Sequence, residues 1–323
     1  MHNAPTVSVL IVTYNAVTFI GNCLHRLYEL DYPAESIEII VADNASADGT
    51  SEYVLKNFPR VRLLQHNVNS GFAGANNDAI KNIKTKYIAL LNPDTEVEKN
   101  WLRELVNTAE SNPKIGMVGS KVISLKDRNI VLSCGITLCK TGRIIETTHE
   151  DSEAFCPSGV SILYRKQLFD NTGLFDEDFF AYFEDVDLAW RAKRNGWICA
   201  YNYKSIVYHY VSASWISGSP AQMYNCIRNR LWTIAKNWSL RYILLYSFFF
   251  TSMSLLQAFH ILAKNKSLSG FSAITDCIKG IPAVIKKRNL NRQNQYPCTD
   301  FIPLYREFVL AVKKISHKTN KVI

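Results

Sequence analysis

Five apolar segments of strand length divide the first 120 residues, and helical patterns separate them. The segments lie at residues 7–12, 37–44, 61–65, 87–92 and 115–120. Uninterrupted apolar runs are typical of parallel strands that are buried on both faces. Strands that alternate with helices form right-handed βαβ units around a parallel sheet. The sequence therefore predicts an α/β fold, Rossmann-like, with a mostly parallel central sheet flanked by helices.

The alternation stops near residue 120. Residues 121–150 suggest a hairpin or loop, residues 159–165 a further strand, and residues 184–196 a helix that ends at a glycine. Two closing strands are predicted within 197–210, and the pattern is helical from about Pro220 onwards. We predict one α/β domain over 1–218, with halves 1–120 and 121–218, and a helical region over 219–323.

The positive charge of the chain is concentrated at its C-terminal end. The net charge is +9, and the chain from Lys264 onwards holds 12 Lys or Arg against 3 Asp or Glu. Just before it, residues 242–263 contain no Asp, Glu, Lys or Arg, although six of their side chains are polar. This segment could span a bilayer, lie on one, or pack within a helical subdomain. Basic residues that follow an apolar helix favour anionic lipid as the partner and not nucleic acid.

The cysteines and the N-terminus bear on the cellular compartment. Eight cysteines are scattered without a C-x-x-C pair, which is typical of small buried side chains in a reducing compartment. The N-terminal apolar run is only six residues long and has no basic segment before it, so it is predicted to be a strand and not a signal peptide. A cytoplasmic location is expected.

Polar or glycine-rich loops follow the first four predicted strands. They read VTYNA (12–16), VADNASADGT (41–50), HNVNSGFAGANN (66–77) and LNPDTE (91–96). In an open parallel sheet such loops share the edge at which ligands bind. Taken singly, each has a simpler explanation, because Asp43 or Asp94 could be a turn or capping residue and Gly71-x-x-Gly74 a tight helix entry.

Taken together with the segment FDEDFFAYFEDVDLAWRAKRNGW (175–197), these loops form an ordered pattern. The pattern, from about residue 7 to residue 215, resembles the inverting glycosyltransferases of family 2, which have a GT-A fold. Within that family it is most similar to the rhamnosyltransferase-like branch. The resemblance implies that residues 1–218 are a catalytic domain, in which 1–120 bind the nucleotide-sugar and 121–218 bind the acceptor.

The resemblance also implies roles for single residues around the donor. Thr13 and Asn15 would touch the nucleotide, and Asp43 would accept a hydrogen bond from the N3–H group of the base. Asn44, Ser46 and Asp48 would shape the pocket for base and ribose. The other residues implied in nucleotide-sugar binding are Asn69, Gly71, Gly74, Asn77, Asn92 and Asp94.

A divalent metal, Mg²⁺ or Mn²⁺, is implied as the cofactor. Asp94 would bind it where it bridges the diphosphate, and His209 matches a position that supplies a second ligand in relatives. The metal would neutralise the charge that develops on the leaving nucleoside diphosphate. With only one carboxylate, this pattern predicts weak metal binding in the absence of donor.

The carboxylates that open the helix at residue 184 are the implied catalytic groups. Acidic residues in a first helical turn also suit the helix dipole, which is the simpler explanation. The resemblance places the base at Asp185, with Glu184 second, to take the proton of the acceptor hydroxyl. Gly159 would lie beneath the acceptor, while Asp187 is expected to orient or cap and to pair with Arg191 four residues later.

The expected activity is metal-dependent transfer of L-rhamnose from dTDP-L-rhamnose to a lipid-linked saccharide, with inversion, in bacterial surface polysaccharide synthesis. The enzyme would work at the cytoplasmic face of the inner membrane, peripheral to it or anchored in it. A UDP-hexose donor is the alternative. A nucleotidyltransferase and a non-enzymatic membrane-binding protein are more remote, the former because residues 12–22 hold no Lys or Arg for a triphosphate.

Overall fold

A computed structural model describes residues 4–139, 142–149, 154–210 and 218–290. The strands are β1 (Val7–Thr13), β2 (Ile37–Asp43), β3 (Arg62–Gln65), β4 (Tyr87–Leu91), β5 (Thr95–Val97), β6 (Ile115–Ser124), β7 (Val131–Ser133), β8 (Ile136–Leu138), β9 (Ile144–Glu146), β10 (Ser161–Arg165) and β11 (Ile198–His209). The helices are α1 (Val17–Tyr28), α2 (Thr50–Asn57), α3 (Gly71–Ile80), α4 (Trp101–Glu110), α5 (Lys166–Thr172), α6 (Glu184–Arg194), α7 (Pro220–Asn237), α8 (Leu240–Asn265) and α9 (Ser269–Leu290).

The large sheet has the order β3-β2-β1-β4-β10-β6-β11-β5, and β7 pairs with β6. Strands β1, β2, β3, β4, β6 and β11 run in one direction, whereas β5, β7 and β10 run in the other. The predicted α/β fold with a mostly parallel sheet is therefore confirmed. Because these six strands share a direction, their carboxyl ends lie along one edge, which is where the polar loops were expected.

Apolar side chains fill both faces of the sheet. On one face α1 and α4 pack through Leu24 and Trp101, both without accessible surface. On the other face α3, α5 and α6 enclose a cluster of Leu, Ile and aromatic residues. Strand β4 has five buried residues in a row, which explains why its sequence shows no alternation of apolar and polar residues.

The strand arrangement after residue 120 differs from the prediction in one respect. The two closing strands predicted within 197–210 are a single strand, β11, which pairs with β6 on both sides of an interruption at residues 203–205. A register shift between Asn202 and Ile206 absorbs the polar residues that interrupt the apolar pattern. The hairpin predicted within 121–150 is confirmed as β8 and β9, which form a separate two-stranded sheet.

The C-terminal helices divide into a packed part and an exposed part. Ile234 and Trp238, at the end of α7, belong to the same apolar core as α6. In α8 the buried residues are Ser254, Ala258 and Ile261. By length and composition α8 is the one helix in the described ranges that could cross a membrane. The residues beyond 290, which carry part of the basic charge noted above, lie outside the described part of the chain.

The described cysteines agree with the prediction of small buried side chains. Five of the seven are buried, none of the seven forms a disulfide, and the other two are half-buried. Cys298 lies outside the described residues.

Candidate active site

The Asp43 carboxylate ends strand β2 and is almost fully buried. It accepts hydrogen bonds from the hydroxyl groups of Thr13 (3.0 Å), Ser46 and Ser51. A carboxylate has about four acceptor positions, so three donors fix its orientation and leave one direction open. Thr13 itself is buried and points at Asp43. The Asp43 carboxylate is therefore already oriented in the absence of ligand. Its contact with the N3–H group of a nucleotide base stays a prediction.

Asn15 and Asp48 hold the loops after β1 and β2 together. Asn15, in the left-handed region at φ +52°, donates its backbone N–H to Ser46 Oγ (2.8 Å) and accepts from the Ala47 N–H at 2.9 Å. Asp48 accepts from the Val17 N–H (3.0 Å), which is the first residue of α1. Burial opposes ionisation of Asp48, but the hydrogen bonds it accepts outweigh that and lower its pKa. Both side chains thus shape the predicted pocket from within the protein.

Asn44 fixes the loop after β3. Its side-chain amide donates to Asn69 Oδ1 (2.9 Å) and to the Gly71 carbonyl (3.0 Å), and its oxygen accepts from the Ser70 N–H at 3.0 Å. Asn69 Oδ1 also accepts from the Gly71 N–H. Because these groups satisfy one another, this loop has a defined shape before any ligand binds.

Gly71 begins α3 at a point where only a glycine fits. Its φ is +74°, and a Cβ atom there would collide with the backbone carbonyl of Phe180. A Cβ on Gly74 would lie 2.7 Å from the Cβ of Ser70. Asn77, further along α3, donates to the Phe175 carbonyl and to Glu177, both at 2.9 Å. These residues dock α3 against the segment that leads into α6, and their predicted contacts with nucleotide remain predictions.

Asp94 and His209 meet at the carboxyl edge of the sheet. Asp94 directly precedes β5, and His209 is the last residue of β11, the strand with which β5 pairs. His209 Nε2 lies 3.2 Å from Asp94 Oδ2, and both side chains are largely buried. The Asn92 N–H donates to the Val160 carbonyl (3.1 Å), so the loop of Asp94 adjoins Gly159. The structure thus brings together the two residues predicted to bind metal.

The side chains of Asp94 and His209 suit a metal ion that is also bound by the substrate. Among the described residues no group of three or more His, Cys, Asp and Glu side chains could hold a metal ion. One carboxylate and one imidazole are too few for a site made by protein alone. Mg²⁺, however, is usually bound by one or two carboxylates together with substrate phosphates and water, and carboxylates also suit Mn²⁺.

Glu184 and Asp185 open α6 after a segment with unusual backbone geometry. Phe180, Tyr182 and Phe183 all have positive φ, between +63° and +74°. Such conformations cost free energy and persist only where the surrounding structure imposes them. Asp185 Oδ1 accepts from the Val186 N–H (2.7 Å), and a Cβ atom on Gly159 would lie 3.0 Å from Asp185 Oδ2. Gly159 is therefore beneath the predicted base, and any side chain there would approach it closely.

The two carboxyl groups differ from ordinary surface carboxylates in their ionisation. Burial raises the pKa of Asp185 to about 6, although backbone hydrogen bonds partly oppose it. Burial, and then repulsion from Asp185, raise the pKa of Glu184 well above its usual range. Glu184 Oε2 is buried without a hydrogen-bond partner. Burial and mutual repulsion thus both oppose simultaneous ionisation of the two carboxyl groups, and Glu184 is the one whose charged form is more strongly disfavoured.

Glu146, at the end of β9, is a member of the site that the sequence did not indicate. Glu146 as a whole residue is exposed, but protein atoms surround its carboxylate group. It accepts from Ser133 Oγ and from Ser158 Oγ. Burial, and to a smaller extent the charge of Asp185, raise its pKa to about 7, although the two serine hydrogen bonds and His209 partly oppose this. Glu146 is therefore close to both the predicted base and the predicted metal ligands, and no local motif marks it.

Asp187 has a structural role, as predicted. Its carboxylate has no accessible surface and accepts from Arg191 Nε (3.0 Å), which confirms the expected pair. It also accepts from Lys236 Nζ (2.8 Å) and Asn237 Nδ2 (2.8 Å), both on α7. Lys236 in turn binds Asp176 at 2.7 Å. Burial opposes ionisation of Asp187, but Lys236 and Arg191 outweigh it and lower its pKa.

Helix α7 also holds the strained segment before α6. Asn229, which is fully buried, has its amide nitrogen within 2.9 Å of the carbonyl oxygens of Phe179, Ala181 and Tyr182. Lys287 on α9 binds Asp178 at 2.7 Å and also binds Asp176. The neighbouring Arg288 donates to the Ala235 carbonyl. Two residues of the basic 286–288 cluster, which could have faced lipid, are thus committed to protein contacts.

A cavity of about 460 Å³ contains none of the predicted site residues. Charged residues such as Arg26, Glu29 and Glu96 line it and pair with one another. Because these charges are mutually satisfied, we assign no chemistry to this cavity.

Comparison with known proteins gives the same family as the motifs. The family described as Glycosyl transferase family 2 matches residues 8–173. The N-acetylglucosaminyl-diphospho-decaprenol L-rhamnosyltransferase of Mycobacterium tuberculosis is 28% identical over 239 residues, which cover 64% of this chain and 76% of that protein. The poly-beta-1,6-N-acetyl-D-glucosamine synthase of Staphylococcus epidermidis is 27% identical over 189 residues, 57% of this chain and 45% of that one.

Solved structures with a similar fold include two complexes that contain a nucleotide-sugar. The mannosyltransferase PcManGT from Pyrobaculum calidifontis, in complex with GDP-Man and Mn²⁺, matches with a TM-score of 0.57 and 17% identity over 90% of this chain and 89% of that one. S. aureus TarS 1-349, in complex with UDP-GlcNAc, matches with a TM-score of 0.55 and 19% identity over 87% and 83%. At this identity the likeness concerns the fold, and the GT-A fold is confirmed.

Proposed function

Because the chain belongs to glycosyl transferase family 2, we propose that it transfers L-rhamnose from dTDP-L-rhamnose to a hydroxyl group of a lipid-linked saccharide, with inversion and with a divalent metal. The observation that carries this proposal is the placement of Asp185. It is a buried carboxylate of raised pKa whose Oδ2 atom faces Gly159. The neighbouring Val160 accepts from the Asn92 N–H, in the loop that carries Asp94. A general base needs a pKa near the working pH, and such a value is rare for an aspartate.

The reaction that fits this geometry is a single displacement. Asp185 takes the proton of the acceptor hydroxyl while the oxygen forms a bond to the anomeric carbon. The bond from that carbon to the diphosphate breaks, and its electron pair leaves with the nucleoside diphosphate. Burial, and then repulsion from Asp185, disfavour the charged form of Glu184, which leaves Asp185 as the stronger candidate for the base. Asp43, held by three hydroxyl groups, would receive the base of the donor.

Asp94 and His209 would hold the metal together with the donor diphosphate. When bound, the metal supplies positive charge to the leaving group. Glu146, close to both His209 and Asp185, would keep the reacting hydroxyl in a negatively charged environment at pH values above its pKa. The Mn²⁺ in the PcManGT complex supports a divalent metal in this fold.

The rhamnosyltransferase relative supports the donor and a lipid-linked acceptor, because its name describes a saccharide on diphospho-decaprenol. A UDP-sugar is the second candidate, since the similar TarS structure contains UDP-GlcNAc. We assign the enzyme to the cytoplasmic face of the membrane. The exposed residues of α8 support the association with a membrane, because Leu244, Phe248, Leu256 and Phe259 each expose more than half of their surface.

A panel of nucleotide-sugars tests the function. The purified protein should melt at a higher temperature with dTDP-L-rhamnose and Mg²⁺ than with UDP- or GDP-sugars, because a ligand that binds only the folded state stabilises it. In the presence of a lipid-linked acceptor it should release dTDP, and chelation of the metal by EDTA should abolish release. A larger increase in melting temperature with UDP-sugars would mean that a UDP-sugar is the donor. Transfer that is unaffected by EDTA would contradict the metal requirement.

The rate of transfer is expected to depend on the ionisation of Asp185. With a pKa of about 6, this base is half protonated at about pH 6. The rate should therefore rise with pH up to about 6 to 7 and then level off, and it should fall about tenfold for each pH unit below the pKa. The measurement is kcat/KM for the acceptor between pH 4.5 and 8.5, because this ratio reports the ionisation of the enzyme without bound acceptor. A profile that is flat down to pH 5 would show that a carboxylate of ordinary pKa, or another group, is the base.

A further inference from the structure

Arg230 is a buried cation to which the transfer chemistry described above gives no role. It lies on α7, exposes 3% of its surface, and donates Nη2 to Ser254 Oγ on α8 at 2.7 Å. Its Nε atom is buried without a hydrogen-bond partner. Burial, and then repulsion from Arg143, lower the pKa of Arg230 to about 10, so it remains charged at neutral pH.

Arg143 brings a second positive charge to the same place. It lies in the turn between β8 and β9, is half-buried, and is close enough to repel Arg230. The turn packs against α7, because a Cβ atom on Gly142 would lie 3.2 Å from Arg230 Cγ. In the described ranges neither arginine forms a salt bridge with a carboxylate, whereas Arg191 pairs with a carboxylate and Arg228 and Arg288 donate to carbonyl oxygens. Two adjacent guanidinium groups without an anion are unfavourable unless a ligand compensates them.

The position of Arg230 relates it to the catalytic carboxylates. Gln222, Cys226 and Arg230 are spaced by four residues and thus share one face of α7. Gln222 donates to the Tyr182 hydroxyl (3.0 Å), just before α6. Cys226 is close to both Arg230 and Glu184, because both groups contribute to the electrostatic environment of its thiol. On its other side Arg230 contacts α8, the helix with the exposed apolar face.

We propose that Arg230 and Arg143 form the binding site for the phosphate groups of a prenyl-diphosphate-linked acceptor. Guanidinium groups bind phosphate oxygens through paired hydrogen bonds. The half-buried Arg143 can offer such donors to a ligand, and the buried Arg230 adds a second positive charge beside it. The saccharide would extend from this site towards Asp185, and the prenyl chain would extend along α8. The inference rests on the proposed function, since it names how that acceptor is recognised.

Binding of geranyl diphosphate, a short prenyl diphosphate without sugar, tests the site directly. Titration calorimetry would use the full chain saturated with Mg²⁺ and the nucleoside diphosphate that stabilises it most, so that the donor site is filled. We expect geranyl diphosphate to bind at least about tenfold more tightly than geraniol. Arg230→Gln and Arg143→Gln should each weaken binding of the diphosphate by about 10- to 100-fold and leave geraniol unaffected.

Arg62→Gln is the matched control, because it removes the same charge from the exposed edge strand β3, where Arg62 pairs with Glu38. It should bind geranyl diphosphate as the wild type does. If Arg230→Gln does not fold, as a melting curve would show, Arg143→Gln decides the question. Equal affinity for geraniol and geranyl diphosphate, or unchanged affinity in Arg143→Gln, would overturn the proposal.

Phosphatidylglycerol vesicles distinguish an acceptor site from a site for membrane lipid. The proposal expects the arginine variants to sediment with these vesicles as the wild type does. Loss of vesicle binding in the variants, without an effect on geranyl diphosphate, would assign the arginines to phospholipid and overturn the proposal. The titration measures binding without a donor sugar and without turnover. Its result would therefore be the same if the donor proposed above were incorrect.

Discussion

Replacing Asp185 with Asn is expected to lower the rate of sugar transfer by about 100-fold or more, the usual contribution of a general base. The amide oxygen of Asn can still accept from the Val186 N–H, as Asp185 Oδ1 does. It cannot take a proton from the acceptor hydroxyl. The measurement is kcat for transfer at saturating donor and acceptor, with donor affinity followed by thermal shift.

The stability of this variant separates loss of the base from loss of the fold. Burial disfavours the charged form of Asp185, which is why its pKa is raised to about 6. The folded state thus binds the proton more tightly than the unfolded chain, so this group opposes folding as the pH rises through about 6. A neutral Asn removes that penalty, and the melting temperature at pH 7.5 should not fall.

Asp170→Asn is the matched control for this experiment, because Asp170 is exposed on α5 and has only a distant ion pair with Lys166. It should transfer sugar at the wild-type rate. Full transfer by Asp185→Asn would reject Asp185 as the base, and the same test on Glu184→Gln would then follow.

Replacing Lys236 with Met is expected to destabilise the protein by about 3 kcal/mol or more, because it leaves buried carboxylates without their partner. Lys236 bridges Asp187 at 2.8 Å and Asp176 at 2.7 Å, and its side chain exposes 4% of its surface. Asp187 keeps Arg191, and Asp176 keeps Lys287, but neither carboxylate keeps its full set of donors. The melting temperature should fall by about 6 °C or more.

Two controls make this prediction specific. Lys279→Met removes an exposed lysine that pairs with Asp276 three residues away on α9, and surface pairs of this kind contribute little. Its melting temperature should stay within about 2 °C of the wild type.

The pKa values of Asp176 and Asp187 are lowered in the folded protein, so their contribution to stability is present at neutral pH and is lost in acid. The difference in melting temperature between the wild type and Lys236→Met should therefore shrink as the pH falls below about 4. Equal melting temperatures of the two at pH 7.5 would mean that the ion network contributes no net stability.

The Lys236 network also defines what the C-terminal helices do. Through Lys236, Asn229 and Asn237, helix α7 holds α6 and the strained segment before it. We therefore expect the segment after residue 218 to be needed for an ordered catalytic helix, in addition to any role at the membrane. The domain boundary predicted at residue 218 remains a prediction. The apolar core, however, contains residues from both sides of this position.

The sequence by itself determined the strand–helix order, the edge of the sheet at which the loops gather, and the helix that begins with the acidic residues 184–187. These features follow from local patterns: apolar runs for buried strands, polar loops after them, and acidic residues in a first turn. The family followed from the same motifs and is confirmed. One local pattern misled us at β11, because a bulge and a strand break look alike in a sequence.

Only the tertiary structure decided which residues act together. Asp94 meets His209 because β5 pairs with β11, and Glu146 joins them from a hairpin without any motif. Glu184, Asp185 and Asp187 lie within four residues of one helix, yet burial raises the pKa of the first two, whereas Lys236 and Arg191 lower that of the third. The physical reason is that ionisation depends on desolvation and on charges supplied by distant segments, and these do not appear in the local sequence.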